Sequence, residues 1–263
     1  MSDQPRLAAH PALDIGLATD VGRVREANED ALLALVRGGT RDAPVLVAVA
    51  DGMGGHNAGE VASALAVESL ERTLRNNDAN DEASPAEAPT DWLEHAVHQA
   101  NRSIWDAAAE DPGKEGMGTT LVAALLGPAG EVTIANVGDS RAYAVCGGRA
   151  TLVTIDHTWV NQQVLDGTMS EREARHSPYR NLLTRSLGNT PQVEVDLFSD
   201  LQLEAGDALV LVSDGVSGYL DEHDVALVVR ESATAQEAAE RLVNEAVDRG
   251  GADNATAVVV RKR

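Results

Sequence analysis

The sequence predicts an α+β fold of packed layers. Three observations point there. Short, nearly continuous apolar runs recur along the chain, glycine-bearing breaks separate several of them as hairpin connections would, and helical stretches come grouped rather than alternating one-for-one with strands. Alternating βαβ units do not fit this order.

In chain order, VLVAVA at 45–50 reads as a strand covered on both faces. GEVASALAVESLERTLRNN, from residue 59, reads as a helix charged along part of its surface. Residues 76–90 are acidic, Pro- and Ala-rich and lack apolar periodicity, so an exposed loop is expected. DWLEHAVHQANRSIWDAAAE then places Leu93, Val97, Ala100, Ile104 and Ala108 on one stripe, with Asp91 or Thr90 available as cap. TTLVAALL (119–126), EVTIANV (131–137), RAYAV (141–145) and ATLVTI (150–155) follow as strands. Gly127, Pro128 and Gly130 separate the first two, and Gly147-Gly148 the last two. ALVLVS (208–213) is a further strand, TAQEAAERLVNEAVDR a helix offering Ala239, Leu242, Val243 and Ala246 to the core, and ATAVVV (255–260) the last strand. No internal repeat or linker divides the 263 residues, so one domain is expected, with residues 1–12 as a disordered tail.

Composition narrows the function. Apolar residues make up 43% but aromatics only 3%, so the core must be built from Ala, Val and Leu. The 42 acids against 21 bases give a net charge of −21, which repels nucleic acid and anionic lipid and attracts divalent cations. Cys146 is the single cysteine, which excludes an intrachain disulfide and fits a reducing, cytoplasmic setting. No signal-peptide core and no run of about 18 apolar residues is present. Monomer is the default expectation.

The chemistry lies where strands end. VLVAVA runs into Asp51-Gly52, VTIANVG into Asp139-Ser140, and ALVLVS into Asp214-Gly215; Asp253-Asn254 precedes ATAVVV, and Glu29-Asp30 precedes ALLALV. Any one such aspartate is an ordinary turn residue. Several that meet in space are not. Two bare carboxylates about 5 Å apart repel by roughly 3 kcal/mol at an effective dielectric near 20. A cluster must then protonate or bind a cation. All-oxygen ligation beside glycine-lined turns suits Mg²⁺ or Mn²⁺ rather than zinc.

TDVGRVREANEDA (19–31), VADGMGGHNAGEVAS (49–63), GMGTTLV (116–122), ANVGDSRAY (135–143), TIDHTWV (154–160), LTRSLG (183–188), LVSDGVSGYL (211–220) and GADNATAVVV (251–260) together resemble the PPM family of metal-dependent serine/threonine protein phosphatases (type 2C), in its compact bacterial form. The resemblance implies a four-layer α-β-β-α sandwich: a central antiparallel β-sandwich flanked by helix pairs, with a flap over residues 158–190 beside a dinuclear metal centre. It implies that Asp51 bridges two ions, that the Gly52 carbonyl binds one, and that Asp214 and Asp253 complete the other. Asp30, with Glu29, would hold metal-bound waters, and Asp139 with Asp214 a third, weaker ion. Arg25 matches the phosphate-binding arginine, whose guanidinium fork suits phosphate. His56 reads either as a proton donor that helps shape the site or as an ordinary loop histidine. The implied reaction is attack of a metal-bridging hydroxide on phosphoserine or phosphothreonine, reversing a cognate kinase.

Two other classes compete: a noncatalytic binding module that keeps the fold, and a metal-dependent phosphatase of small metabolites. His95 and His98 have metal-binding spacing but no further ligand, so a surface location is expected. Cys146 reads as a structural thiol. Asp156-His157 looks like a catalytic dyad in isolation and is expected instead to order the turn into the flap.

Overall fold

The computed structural model describes residues 10–36, 43–54, 58–76, 85 and 88–263. Most of the expected loop at 76–90 and residues 1–9 of the expected tail lie outside the described residues. His10 is buried, and the Ala12 carbonyl accepts the Arg263 N–H at 2.9 Å.

The elements are β1 (Leu13–Asp20), β2 (Asp30–Val36), β3 (Val45–Met53), α1 (Ala58–Asn76), α2 (Pro89–Glu110), β4 (Gly118–Thr119), β5 (Leu121–Leu126), β6 (Glu131–Val137), β7 (Arg141–Cys146), β8 (Arg149–Leu152), α3 (Trp159–Leu165), α4 (Glu171–His176), β9 (Asp196–Gln202), β10 (Ala208–Val212), α5 (Asp214–Ser217), α6 (Glu222–Glu231), α7 (Ala235–Asp248) and β11 (Ala255–Lys262). One antiparallel sheet runs β1-β11-β10-β7-β8. The other runs β2-β3-β5-β6-β9, with β4 paired to β3.

The continuous apolar runs conceal a period of two. In β3, Leu46, Ala48 and Ala50 face α1 and α2, while Val45, Val47 and Val49 face the other sheet. In β10, Val210 and Val212 pack toward α6 and α7, and Leu209 and Leu211 toward the opposite sheet. Each inner strand thus serves two cores, which is why both of its faces are apolar. Three apolar layers alternate with four layers of backbone, and the α-β-β-α sandwich follows. Small residues where α1 meets β3, including Ala62 and Ala66, let helix and sheet approach closely.

Several local expectations change. The N-cap of α2 is Ala88 with Pro89 in the first turn, so neither Asp91 nor Thr90 caps it; proline there needs no N–H partner. Four of the five α2 stripe residues are buried and Ala108 is partly buried. The strand expected at 150–155 ends at Leu152. β1, β9, α3, α4, α5 and α6 lie outside the strands and helices expected from the sequence. Gly147 and Gly148 (φ 56° and 79°) make the tight β7–β8 hairpin as read from sequence. Between β6 and β7 the chain changes sheets, through Gly138-Asp139-Ser140. Among the described residues no helix is long and apolar enough to cross a membrane.

Candidate functional site

The two sheets end together at an acidic pole. Asp30 opens β2 directly opposite Asp51 of β3. In the other sheet Val212 of β10 lies opposite both Ala257 of β11 and Arg141 of β7. Asp214 just after β10, Asp253 just before β11 and Asp139 just before β7 therefore share one end. Asp51 lies within the electrostatic reach of Asp30, Asp214, Asp139 and Asp253. Sequence reasoning had named each of these, and the fold brings them together. His56 lies outside the described residues.

Buried polar groups hold the pole in shape. The Asp51 N–H donates to Thr120 Oγ1 at 3.0 Å, and Thr119 Oγ1 donates back to the Asp51 carbonyl at 2.9 Å. Thr120 Oγ1 in turn shares a 2.7 Å hydrogen bond with Ser140 Oγ, which ties the Asp51 strand to the Asp139 turn. Asn254 Oδ1 accepts the Glu29 N–H at 2.8 Å, while its amide donates to the Val21 and Ala27 carbonyls at 2.9 and 3.0 Å. Ser213 Oγ donates to Asp30 Oδ2 at 2.8 Å. None of these supporting residues was assigned a role from sequence. The available signal was a polar residue placed inside or against a fully apolar strand end.

Two glycines permit the packing. A β-carbon on Gly215 would lie 1.9 Å from the Asn254 carbonyl oxygen, so α5 reaches the loop bearing Asp253 only because that residue is glycine. Gly52, beside Asp51, would likewise bring a β-carbon 2.1 Å from the Gly59 carbonyl oxygen.

Burial and mutual repulsion make the pole basic. Asp30 is pushed up to about 7, first by burial, against hydrogen bonds from Thr256 and Ser213, and further by Asp214 and Asp253. Asp139 also rises to about 7 through burial, Asp214 and Asp156, with Arg141 opposing. Burial raises Asp51 well above the carboxylate range, and burial with Asp253 raises Asp214. Glu29 rises through burial, partly offset by Arg25. Asp30 Oδ1 and Asp214 Oδ1 are buried without a hydrogen-bond partner among the described residues. Oxygens so placed call for a cation. Among the described residues no three His, Cys, Asp or Glu side chains form a ready-made ion cage. Arg25 sits at the rim, half exposed, its Nη2 2.7 Å from Asp253 Oδ2.

The other sequence candidates separate cleanly. Asp156 is held bidentately by Arg141, at 2.9 and 2.6 Å. His157 instead has Asp196 as its carboxylate neighbour, with Nε2 3.1 Å from Oδ2, and its Nδ1 accepts the Gly138 N–H at 3.0 Å. Burial keeps its pKa below the usual histidine value. The pair is thus built into the turn beside Asp139 and is not a dyad. Segment 158–190 contains α3 and α4; the bridge Thr158↔Leu183 closes it on itself, and the bridge Thr119↔Leu187 joins it to the body. His98 lies on the surface 3.9 Å from Glu94. Burial raises the Cys146 thiol, away from a nucleophilic thiolate.

Residues 23–250 match the protein phosphatase 2C family. The chain is 36% identical over 247 residues to the serine/threonine phosphatase stp of Listeria innocua, covering 93% of this chain and 94% of that one. It superposes on the crystal structure of the Mycobacterium tuberculosis serine/threonine phosphatase PstP/Ppp with a TM-score of 0.84 and 34% identity, covering 96% and 99% of the two chains. The PstP catalytic domain in complex with two manganese ions gives a TM-score of 0.80 at 34% identity, covering 95% and 98%. Layered sheets with an acidic pole, matched over these lengths, define a serine/threonine protein phosphatase. The chain belongs to the protein phosphatase 2C family.

Proposed function

We propose that this phosphatase acts on phosphoserine and phosphothreonine in proteins through a dinuclear Mn²⁺ or Mg²⁺ centre at the acidic pole, opposing a serine/threonine kinase. The observation that carries this is the convergence of buried carboxylates whose pKa values are raised together, two of them with an unsatisfied oxygen. Asp51, the Gly52 carbonyl, Asp214 and Asp253 would hold the two ions, Asp30 their waters, and Asp139 with Asp214 a weaker third. When bound, such ions lower the pKa of a shared water and offset charge on the phosphoryl oxygens.

The chain's own groups do the rest. Thr119 and Thr120 fix the backbone of Asp51 so that its carboxylate is presented at one place. Arg25 exchanges its Asp253 partner for the substrate phosphate, which its planar fork engages through two hydrogen bonds. His56 is the candidate donor to the leaving alkoxide. Segment 158–190 forms the flap, the whole chain serves as one catalytic domain, and a cytoplasmic monomer suits its single cysteine and acidic surface.

Hydrolysis of a phosphothreonine peptide and of a sugar phosphate at equal concentrations, with Mn²⁺, with Mg²⁺ and with chelator, tests the reading. Metal-dependent turnover favouring the peptide is expected. Folded protein without turnover at any metal concentration would favour a binding module, and preference for the sugar phosphate a metabolite enzyme.

A further inference from the structure

Ser213 occupies the N-cap position of α5, where a serine side chain ordinarily accepts a hydrogen bond from the helix backbone. Here it makes no capping bond. Its side chain is fully buried, and Oγ accepts the Thr256 N–H at 3.0 Å while donating to Asp30 Oδ2 at 2.8 Å. A serine hydroxyl has a single proton. With Thr256 fixing the accepting side, that proton is aimed across from one sheet to the carboxylate of the other. Asp30 Oδ2 is thereby engaged, and Oδ1 is the oxygen left buried and free of any partner among the described residues. The neighbouring Thr256 hydroxyl, 2.7 Å from Thr19 Oγ1, also hydrogen-bonds the Asp30 carboxylate and supports the same orientation.

We propose that Ser213 is a positioning residue for the acidic pole, its hydroxyl holding Asp30 so that Oδ1 faces the divalent ions and their water shell. This rests on reading the pole as a metal centre. Ser213 touches neither substrate nor ion; it acts through Asp30. Partners of this kind orient ligating carboxylates, and their loss costs about 10- to 100-fold in metal affinity or activity.

Mn²⁺ titration by calorimetry on the full chain tests the assignment. Ser213→Ala should weaken Mn²⁺ binding about 10-fold or more. At saturating Mn²⁺ its KM for a phosphothreonine peptide should match that of the unaltered protein. Ser213→Cys, of similar volume but a weaker donor, should fall between, and it carries the test if the alanine variant does not fold. Ser232→Ala removes another buried serine, whose hydroxyl donates to the Val228 carbonyl four residues earlier in α6; it should leave Mn²⁺ affinity unchanged. In an Asp30→Asn background, Ser213→Ala should add little further loss, because the two act as one unit. Unchanged Mn²⁺ affinity in the Ser213 variants, or fully additive losses with Asp30→Asn, would overturn the assignment. Absence of Mn²⁺ binding by the unaltered protein would instead overturn the metal centre itself.

Discussion

Asp51 and Asp214 are held in a place that a carboxylate resists, since burial and like charge both oppose its ionised form. Removing one relieves repulsion while removing ligation. Asp51→Ala or Asp214→Ala should therefore lower phosphopeptide turnover at least 100-fold, yet leave the melting temperature in chelator equal to or above that of the parent. Turnover near the parent rate would refute the ligand assignment. Arg25 stands apart, half exposed at the rim and paired to Asp253. Its loss should chiefly raise KM, by about 10-fold or more for a lost charged hydrogen bond, with Mn²⁺ binding retained. Collapse of Mn²⁺ binding with unchanged KM would contradict that role. The aspartates were legible in the sequence because a charge at the end of an apolar run has no packing purpose. Ser213, Thr120 and Asn254 were not, because a small polar residue near a strand end is common. Only the fold shows that their hydrogen bonds terminate on the pole.

The same contrast governs the elements. β3, β5, β10 and β11 were legible because they lie inside the sandwich and are apolar on both faces. β9 (DLFSDLQ) is an edge strand with exposed Ser199 and Asp200, and its sequence lacks either a continuous apolar run or a clean alternation. β1 (LDIGLATD) hides similarly at the other sheet's edge, where its partner β11 and helix α7 supply the order. Helix α6 carries an Asp221–Asp224 capping box, a short-range signal that ten residues of mixed polarity obscure. Close approach between elements is invisible to periodicity altogether, and α5 illustrates it. Gly215→Ala would drive a methyl group into the Asn254 backbone, which cannot rotate away as a side chain can. The variant should lose about 1–3 kcal/mol of stability by denaturant unfolding, the range for overpacking, and lose Mn²⁺ affinity as Asp214 and Asp253 move apart. An alanine variant with parental stability and affinity would mean that α5 does not pack there as described.

At the scale of the molecule, an excess of 21 negative charges surrounds a pole whose carboxyls take up protons too readily. Asp30 and Asp139 move from an ordinary 3.8 to about 7, and Asp51 and Asp214 also rise. Between about pH 4 and 7 the folded, metal-free protein therefore binds more protons than the unfolded chain. Stability falls with pH wherever the native state holds the extra protons, so metal-free stability should decline as pH rises through this window. Asp196, which burial raises but Arg185 and His157 draw down further, contributes in the opposite sense, and does so only below the ordinary carboxylate range. His157, which burial holds below its ordinary 6.5, opposes the pole as well, but it is a single group against four raised aspartates, and neither offsets the pole at neutral pH. Divalent ions compete with the same protons, so the stabilisation by Mn²⁺ should grow as pH rises. Thermal melts at pH 5, 6, 7 and 8, in chelator and in excess Mn²⁺, read both trends. The melting temperature in chelator should fall across the series and the Mn²⁺-induced increment should widen. Asp51→Ala should flatten the chelator curve, because one member of the coupled set is gone. A rising chelator curve between pH 5 and 7, or the same slope in Asp51→Ala, would mean that these side chains are solvated separately and that no shared pole drives metal binding.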